Sequence, residues 1–403
     1  MSNLPQGWEV KTLSEIGEIV TGSTPSKSNL DFYGKDYPFF KPSDFEQGYF
    51  LENAGDNLSK LGFDKARQLP PKTILVVCIG SLGKVALTKV IGSCNQQINA
   101  IIPHKNIISE YIYYYCISSK FQSILFSKAP QTTLAILNKT EFSKLEIIYP
   151  KDIKEQERIV GILDFAFSKI DENIKKAKEN LANIDELMQS ALQKAFNPLN
   201  DNTKENYQLP QSWEWKSLGD TSNYGKTSQV KPSQLKGNDW ILELEDIEKE
   251  SGVLLQKVLF QDRQSKSNKI KFNKGDILFG TLRPYLKKVI IADDNGACSS
   301  EIMPFSTGNS ITNHFIYYYL FANFLHDRIS SLTYGARMPR LGTKDGKSLQ
   351  IPLPPLQEQE QIAEHLDFVF EKAKALKELY TKELKDYEEL KQSLLDKAFK
   401  GEL

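Results

Sequence analysis

The chain has 403 residues, 40% hydrophobic and 25% charged, with 51 basic residues balanced by 51 acidic ones. That length suits two or three domains, each with its own core, and the longest apolar run, TILVVCIG from Thr73 to Gly80, is too short to cross a bilayer. Four scattered cysteines without CxxC spacing argue against a disulfide framework or a zinc site and favour a reducing cytoplasm.

In chain order, MSNLPQGWEV lacks the charged and apolar regions of a signal peptide. The runs ILVVCIG, LTKVIG and INAIIP then read as short strands broken by turns. Lys84 follows the Gly-x-x-Gly turn GSLGK, and CNQQIN presents Asn95, Gln96 and Gln97, amides able to pair with adenine edges. A tyrosine-rich helical stretch is expected over Ser109–Phe126. From Ile159 the apolar residues fall on one stripe: Leu163, Ala166, Ile170, Ile174, Ala177, Leu181, Ile184, Met188, Ala191 and Ala195. After Ile170 the steps alternate four and three, the seam of a coiled coil, and no Gly or Pro intervenes between Ile162 and Asn197.

The same order then runs again. LPQSWEWKSL (Leu209–Leu218) repeats LPQGWEVKTL (Leu4–Leu13). DILFGTL, KKVIIADD and EIMPF read as strands, with Arg283, Tyr285, Lys287 and Lys288 at the turn equivalent to GSLGK. FIYYY within the helical stretch Thr312–Ser330 answers YIYYY, and GARMPRLG places Arg337 and Arg340 where the first copy has APQTTLAILN. IPLPPL leads into a second apolar stripe of Leu366, Val369, Leu376, Tyr380, Leu384 and Tyr387, and DKAF near the C-terminus matches the earlier QKAF. EQERIVGILDFAF at Glu155–Phe167 recurs as EQEQIAEHLDFVF at Glu358–Phe370, 203 positions on.

The chain thus reads as two copies of one unit, each a globular α+β region followed by a long helix. The expected segments are 1–150, helix 151–200, 201–352 and helix 353–403. Each helix needs a partner for its stripe, and the other is at hand. Duplication makes the pair antiparallel, an intramolecular coiled coil with pseudo-two-fold symmetry and a globule at each end. Residues 151–200 carry 8 basic and 9 acidic side chains and residues 353–403 carry 8 and 12, so the globular regions are mildly basic.

Catalytic constellations are absent from the pattern. There is no P-loop, no GxGxxG turn and no adenine-methylase (D/N)PP(Y/F) segment, since the double prolines lie in LPPK and LPPL. The four histidines are too dispersed for a metal site, and Glu9-x-Lys11 and Glu214-x-Lys216 match only half of a nuclease motif. Loop arginines and lysines are most often solvated charges. Their weight here comes from two similar scaffolds carrying different polar residues at equivalent turns, which reading two different sequences requires.

Over essentially its full length the chain resembles the specificity subunits of type I restriction–modification systems. The resemblance is carried by the LPQGWE-type openings, GSLGKVAL with CNQQINAI, TLRPYLKKV with ACSSEI, and above all PLPPLQEQEQIAEHLD; the first junction lacks the PLPPL element. It implies two target recognition domains, each reading one half of a bipartite asymmetric site in double-stranded DNA. It further implies that the helices set the gap and dock two modification subunits, with restriction (translocase) subunits able to join. No cofactor is expected in the chain itself; S-adenosylmethionine, ATP and magnesium belong to the partner subunits. The rival readings are a free-standing DNA-binding protein and a coiled-coil scaffold, the latter predicting no response to DNA.

Overall fold

The computed structural model describes residues 4–129, 135–199, 207–263 and 265–403. The expected boundary at residue 200 and the middle of the APQTTLAILN loop lie outside them. Two compact units are present: Met1–Ala177 with Lys382–Leu403, and Lys178–Thr381. The long helices span Ile153–Phe196 and Leu356–Ala398, so each unit holds a globular region, the start of one helix and the end of the other.

The first unit is built around a five-stranded sheet in the order Gly17–Thr21, Ile98–Pro103, Ile74–Val77, Val85–Thr88 and Phe50–Leu51. The β-branched run Ile74–Val77 is buried on both faces at its centre. Helices Ser109–Ile117 and Ser119–Lys128 contribute Tyr111, Tyr114, Tyr115 and Phe121 to the core. The tyrosines are therefore packing residues, as their spacing predicts. The second unit contains two smaller sheets, Val289–Ile291 with Ile277–Gly280 and Ile302–Phe305, and a four-stranded one centred on Lys269–Phe272 and Gly296–Cys298.

The repeated motifs have matching structural roles. Each LPQ-type opening forms a strand antiparallel to the strand that precedes a long helix: Trp8–Thr12 against Glu146–Pro150, and Glu214–Ser217 against Gln350–Leu353. The KAF endings plug a core. Phe399 packs edge-on against Tyr111 and Tyr115 in the first unit, and Phe196 does the same against Phe315 and Tyr319 in the second.

Within each unit the two helix segments run antiparallel and pair along a seam. In the first, Lys391 bonds Asp171 at 2.5 Å and lies over the Phe167 ring, while Leu163 shares a core with Leu395. In the second, Ile184, Met188 and Ala373 are buried together with Phe370 and Tyr380 alongside, Leu366 is fully buried, and Lys377 pairs with Asp185. Ile170 is buried, and Ile174, Leu181, Leu384 and Tyr387 are half-buried along the seam. The expected seam is corrected at one position. Leu376 is 42% exposed, and Lys377, one residue on, takes the facing position; Val369 is half-buried, as is its neighbour Phe370. Helical periodicity allows adjacent residues to compete for a seam, and the partner decides between them.

The EQE–LD repeat joins each helix to its globular region. Gln156 is fully buried; its Oε1 accepts from the Ile108 backbone N–H at 2.9 Å and its Nε2 donates to Pro150 O at 2.9 Å. Gln359 is equally buried, accepts from Thr312 N–H at 2.9 Å and donates to Pro354 O at 2.8 Å and Ser310 O at 3.0 Å. Two turns further on, the Tyr114 hydroxyl donates to Asp164 at 2.6 Å and Tyr318 donates to Asp367. Burial, reinforced by the facing carboxylate, pushes both phenol groups far above their ordinary range, so they stay donors.

Candidate nucleic-acid interface

In the second unit the chain brings both predicted loops to one cleft. Thr281 follows strand Ile277–Gly280, and the turn Pro284–Leu286 comes next, flanked by Arg283 and Lys287. Both flanking residues adopt left-handed backbone angles, φ 50° and 46°, a conformation that non-glycine residues hold only when their surroundings enforce it. The enforcing contacts are on the second loop: Arg283 N–H donates to Pro339 O at 2.7 Å, Leu341 N–H donates to Thr281 O at 3.0 Å, and Leu282 bridges Arg340. A cleft of about 610 Å³ results, walled by Arg283, Lys288, Glu301, Met338, Glu245 and Arg263 among others.

Of the predicted residues, Arg283 and Lys288 line this cleft and Tyr285, Lys287, Arg337 and Arg340 lie on the same two loops outside its lining, and they differ in availability. Arg283, Tyr285 and Arg337 are exposed, and among the described residues no intrachain partner holds their side-chain polar groups. Arg340 is half-buried and reaches Ser300 O at 3.3 Å through one nitrogen. Lys288 donates to Leu244 O at 2.6 Å. Lys287 is corrected: it is 6% exposed, and its ammonium donates to Phe321 O at 3.0 Å and to Asn323. Burial holds its pKa below the ordinary lysine value, and the residue braces the turn from inside. Sequence reading passed over Glu301 and the buried pair Arg263–Asp246, where the guanidinium binds both carboxylate oxygens at 2.6 and 2.7 Å. No local pattern marks them, because the cleft is assembled from segments far apart in the chain.

In the first unit the corresponding turn contains Gly80 and Gly83, both at positive φ. Lys84 emerges from it and pairs with Glu46 at 2.5 Å, an exposed contact that lowers the Glu46 pKa. The CNQQIN amides divide. Asn95, 7% exposed, closes a small ring with Gln97, donating to its Oε1 at 2.8 Å and accepting from its backbone N–H at 3.1 Å. Asn95 is thus a turn-forming residue and not a surface reader, and Gln97 is half-buried beside it. Gln96 points outward and accepts from Thr24 at 2.5 Å, which adds the loop after strand Gly17–Thr21 to this surface.

Among the described residues no group of His, Cys, Asp and Glu is arranged to hold a metal ion, and no helix is long and apolar enough to cross a membrane. All four cysteines are free and buried; burial pushes Cys78 and Cys94 up to about 12, which removes them as nucleophiles at neutral pH.

The repeated frame with two unlike loop sets has a match among known families. The model of the type I restriction modification DNA specificity domain fits twice, over residues 5–183 and 210–385. The chain belongs to this family. The HindI specificity subunit of Haemophilus influenzae is 39% identical over 176 residues, 42% of this chain and 38% of that one. The MjaIX specificity subunit of Methanocaldococcus jannaschii is 29% identical over 55% of this chain and 52% of its own, so the chain spans about half or less of these two relatives. The EcoDI specificity subunit of Escherichia coli matches at 23% identity across 99% of the chain and 89% of its own length. A chain solved in work on complex assembly and conformational transition of the type I R-M system superposes with a TM-score of 0.79 at 19% identity, covering all of both chains. The HsdS subunit of Thermoanaerobacter tengcongensis gives 0.55 at 20%, covering 100% of this chain and 98% of that one. These structural likenesses establish the shared fold of the specificity-domain family: two α+β recognition-type domains with two long helices.

Proposed function

We propose that this chain is the DNA-reading subunit of a type I restriction–modification enzyme, recognising a bipartite asymmetric target in double-stranded DNA with one domain per half-site. One observation carries the reading: the attachment of domain to helix is repeated group for group, while the exposed loops carry largely different polar residues, GSLGK and CNQQIN in the first copy against TLRPYLKK and GARMPRLG in the second. A repeated frame with unlike loops suits one operation performed on two sequences. Arg283, Tyr285, Arg337, Arg340 and Lys288 are the candidate contacts of the second domain, and Lys84 and Gln96 those of the first. Their guanidinium and amide groups suit guanine and adenine edges in the major groove.

Two modification subunits dock on the helices, and restriction subunits join that assembly. What supports two equal docking sites is a second duplication. Phe165 and Phe368 occupy equivalent helical positions and are 69% and 60% exposed, on the face away from each seam. S-adenosylmethionine, ATP and magnesium belong to those partners, and the assembly works in the cytoplasm. The test is methylome sequencing of a host carrying this chain with its modification subunit. The expected result is one methylated motif made of two half-sites and a fixed gap; a single uninterrupted motif, or no methylation with both subunits expressed, overturns the reading.

A further inference from the structure

The geometry points to Gln156 and Gln359, backed by the Tyr114–Asp164 and Tyr318–Asp367 bonds, as positioning residues that set the angle of each recognition domain on its helix and thereby the gap length the enzyme accepts. This inference rests on the bipartite reading above and adds a set of specificity-determining residues that touch no DNA.

The argument begins from chemistry. A primary amide buried without water is costly unless its polar atoms are satisfied, and a leucine would fill the same space without that demand. Both glutamines nevertheless are fully buried and bonded at each end. What such a group supplies that leucine cannot is direction. A satisfied buried polar network admits one arrangement, whereas apolar contacts tolerate sliding and rotation.

The partners chosen strengthen this point. Gln156 grips the N-cap of helix Ser109–Ile117 through Ile108 N–H and the end of strand Glu146–Pro150 through Pro150 O. Gln359 grips the N-cap of helix Asn313–Tyr319 through Thr312 N–H and the prolyl carbonyl of Pro354. One side chain therefore ties two separate elements of the globular region to the first turns of the long helix. The tyrosine–aspartate bond sits eight residues along the same helix, about 12 Å away at 1.5 Å per residue. Two fixed points that far apart define an orientation where one would leave a pivot. Phe167 on Tyr114 and Phe370 on Tyr318, edge-on at 5.2 and 5.0 Å, close the same joint.

The test uses the full chain reconstituted with its modification subunits, on duplexes carrying both half-sites with the gap changed one base pair at a time. Gln156→Leu and Gln359→Leu, singly and together, are compared with Tyr114→Phe and Tyr318→Phe, which each remove a single hydroxyl and keep the fold if the glutamine variants do not. Leu58→Ala, in a small core of the first unit away from the joint, controls for lost stability. The expected result is that methylation of gaps one base pair too long or too short rises about tenfold relative to the preferred gap, the factor one lost buried hydrogen bond can make. The half-site bases stay the same, and Leu58→Ala keeps the wild-type gap profile. An unchanged gap profile in the folded variants, or an equal broadening in Leu58→Ala, overturns the inference. If the wild-type enzyme itself shows no gap preference, the bipartite reading fails instead, which separates the two outcomes.

Discussion

Phe399, three turns beyond the last seam tyrosine of its helix, packs edge-on against Tyr115 with ring centroids 5.0 Å apart in the core of the first unit. The final turn of the second helix is thus part of the core that the first 150 residues begin. Phe196 occupies the same place in the second unit against Phe315 and Tyr319, both at 5.1 Å.

Truncating either ring leaves a cavity that rigid neighbours cannot fill. Phe399→Ala is expected to destabilise the first unit by about 3–5 kcal/mol, and Phe196→Ala the second by a similar amount. Hydrogen exchange resolved by segment should show the loss confined to the unit concerned.

Phe165→Asp and Phe368→Asp should leave folding intact, because both rings are solvent-facing. Each should remove one of two bound modification subunits, and the double variant both. Mass measurement of the reconstituted complex by light scattering reads the stoichiometry directly; full occupancy in the double variant would place docking elsewhere.

Arg283 and Lys287 lie four residues apart on one turn and predict opposite phenotypes. Arg283→Ala should relax one base position in one half-site by about 1–3 kcal/mol of discrimination with the melting temperature nearly unchanged. Lys287→Ala should lower the melting temperature by removing the buried donor to Phe321 O, leaving the methylated motif as it was.

His326 makes the second unit sensitive to acid. Its Nε2 lies 2.6 Å from Leu320 O, and burial, with nearby Lys287 adding repulsion, lowers its pKa from 6.5 to about 4. The unfolded chain therefore binds this proton near pH 6.5 and the folded chain only near pH 4. Stability is complete above pH 6.5 and falls as pH drops toward 4, by up to about 3 kcal/mol from this one group. Denaturant melts of the wild type and of His326→Gln between pH 4 and 7 check it; the variant should lose less stability over that window.

The architecture was legible in the sequence because it is written in periodicity and repetition. A stripe stepping by four and three without Gly or Pro makes a helix with one buried face, and a unit copied at a constant offset makes the same fold twice. Those are local properties, and the stripe from Leu163 to Met188 and the tyrosine-rich helices followed from them; that each opening pairs with the strand before a long helix is a long-range result. The joint and the cleft were decided by tertiary structure alone. Gln156 sits between two glutamates in the repeated EQER stretch, where nothing local marks it, yet its amide bonds a residue 48 positions earlier. Asn95 and Lys287 have the chemistry of DNA readers, but each finds a closer partner inside the fold. Leu376 has the periodicity of a seam residue, but Lys377 is the one that faces the other helix and pairs with Asp185. A side chain's type states what it can bond; only the chain's long-range path determines which groups come within 3 Å of it.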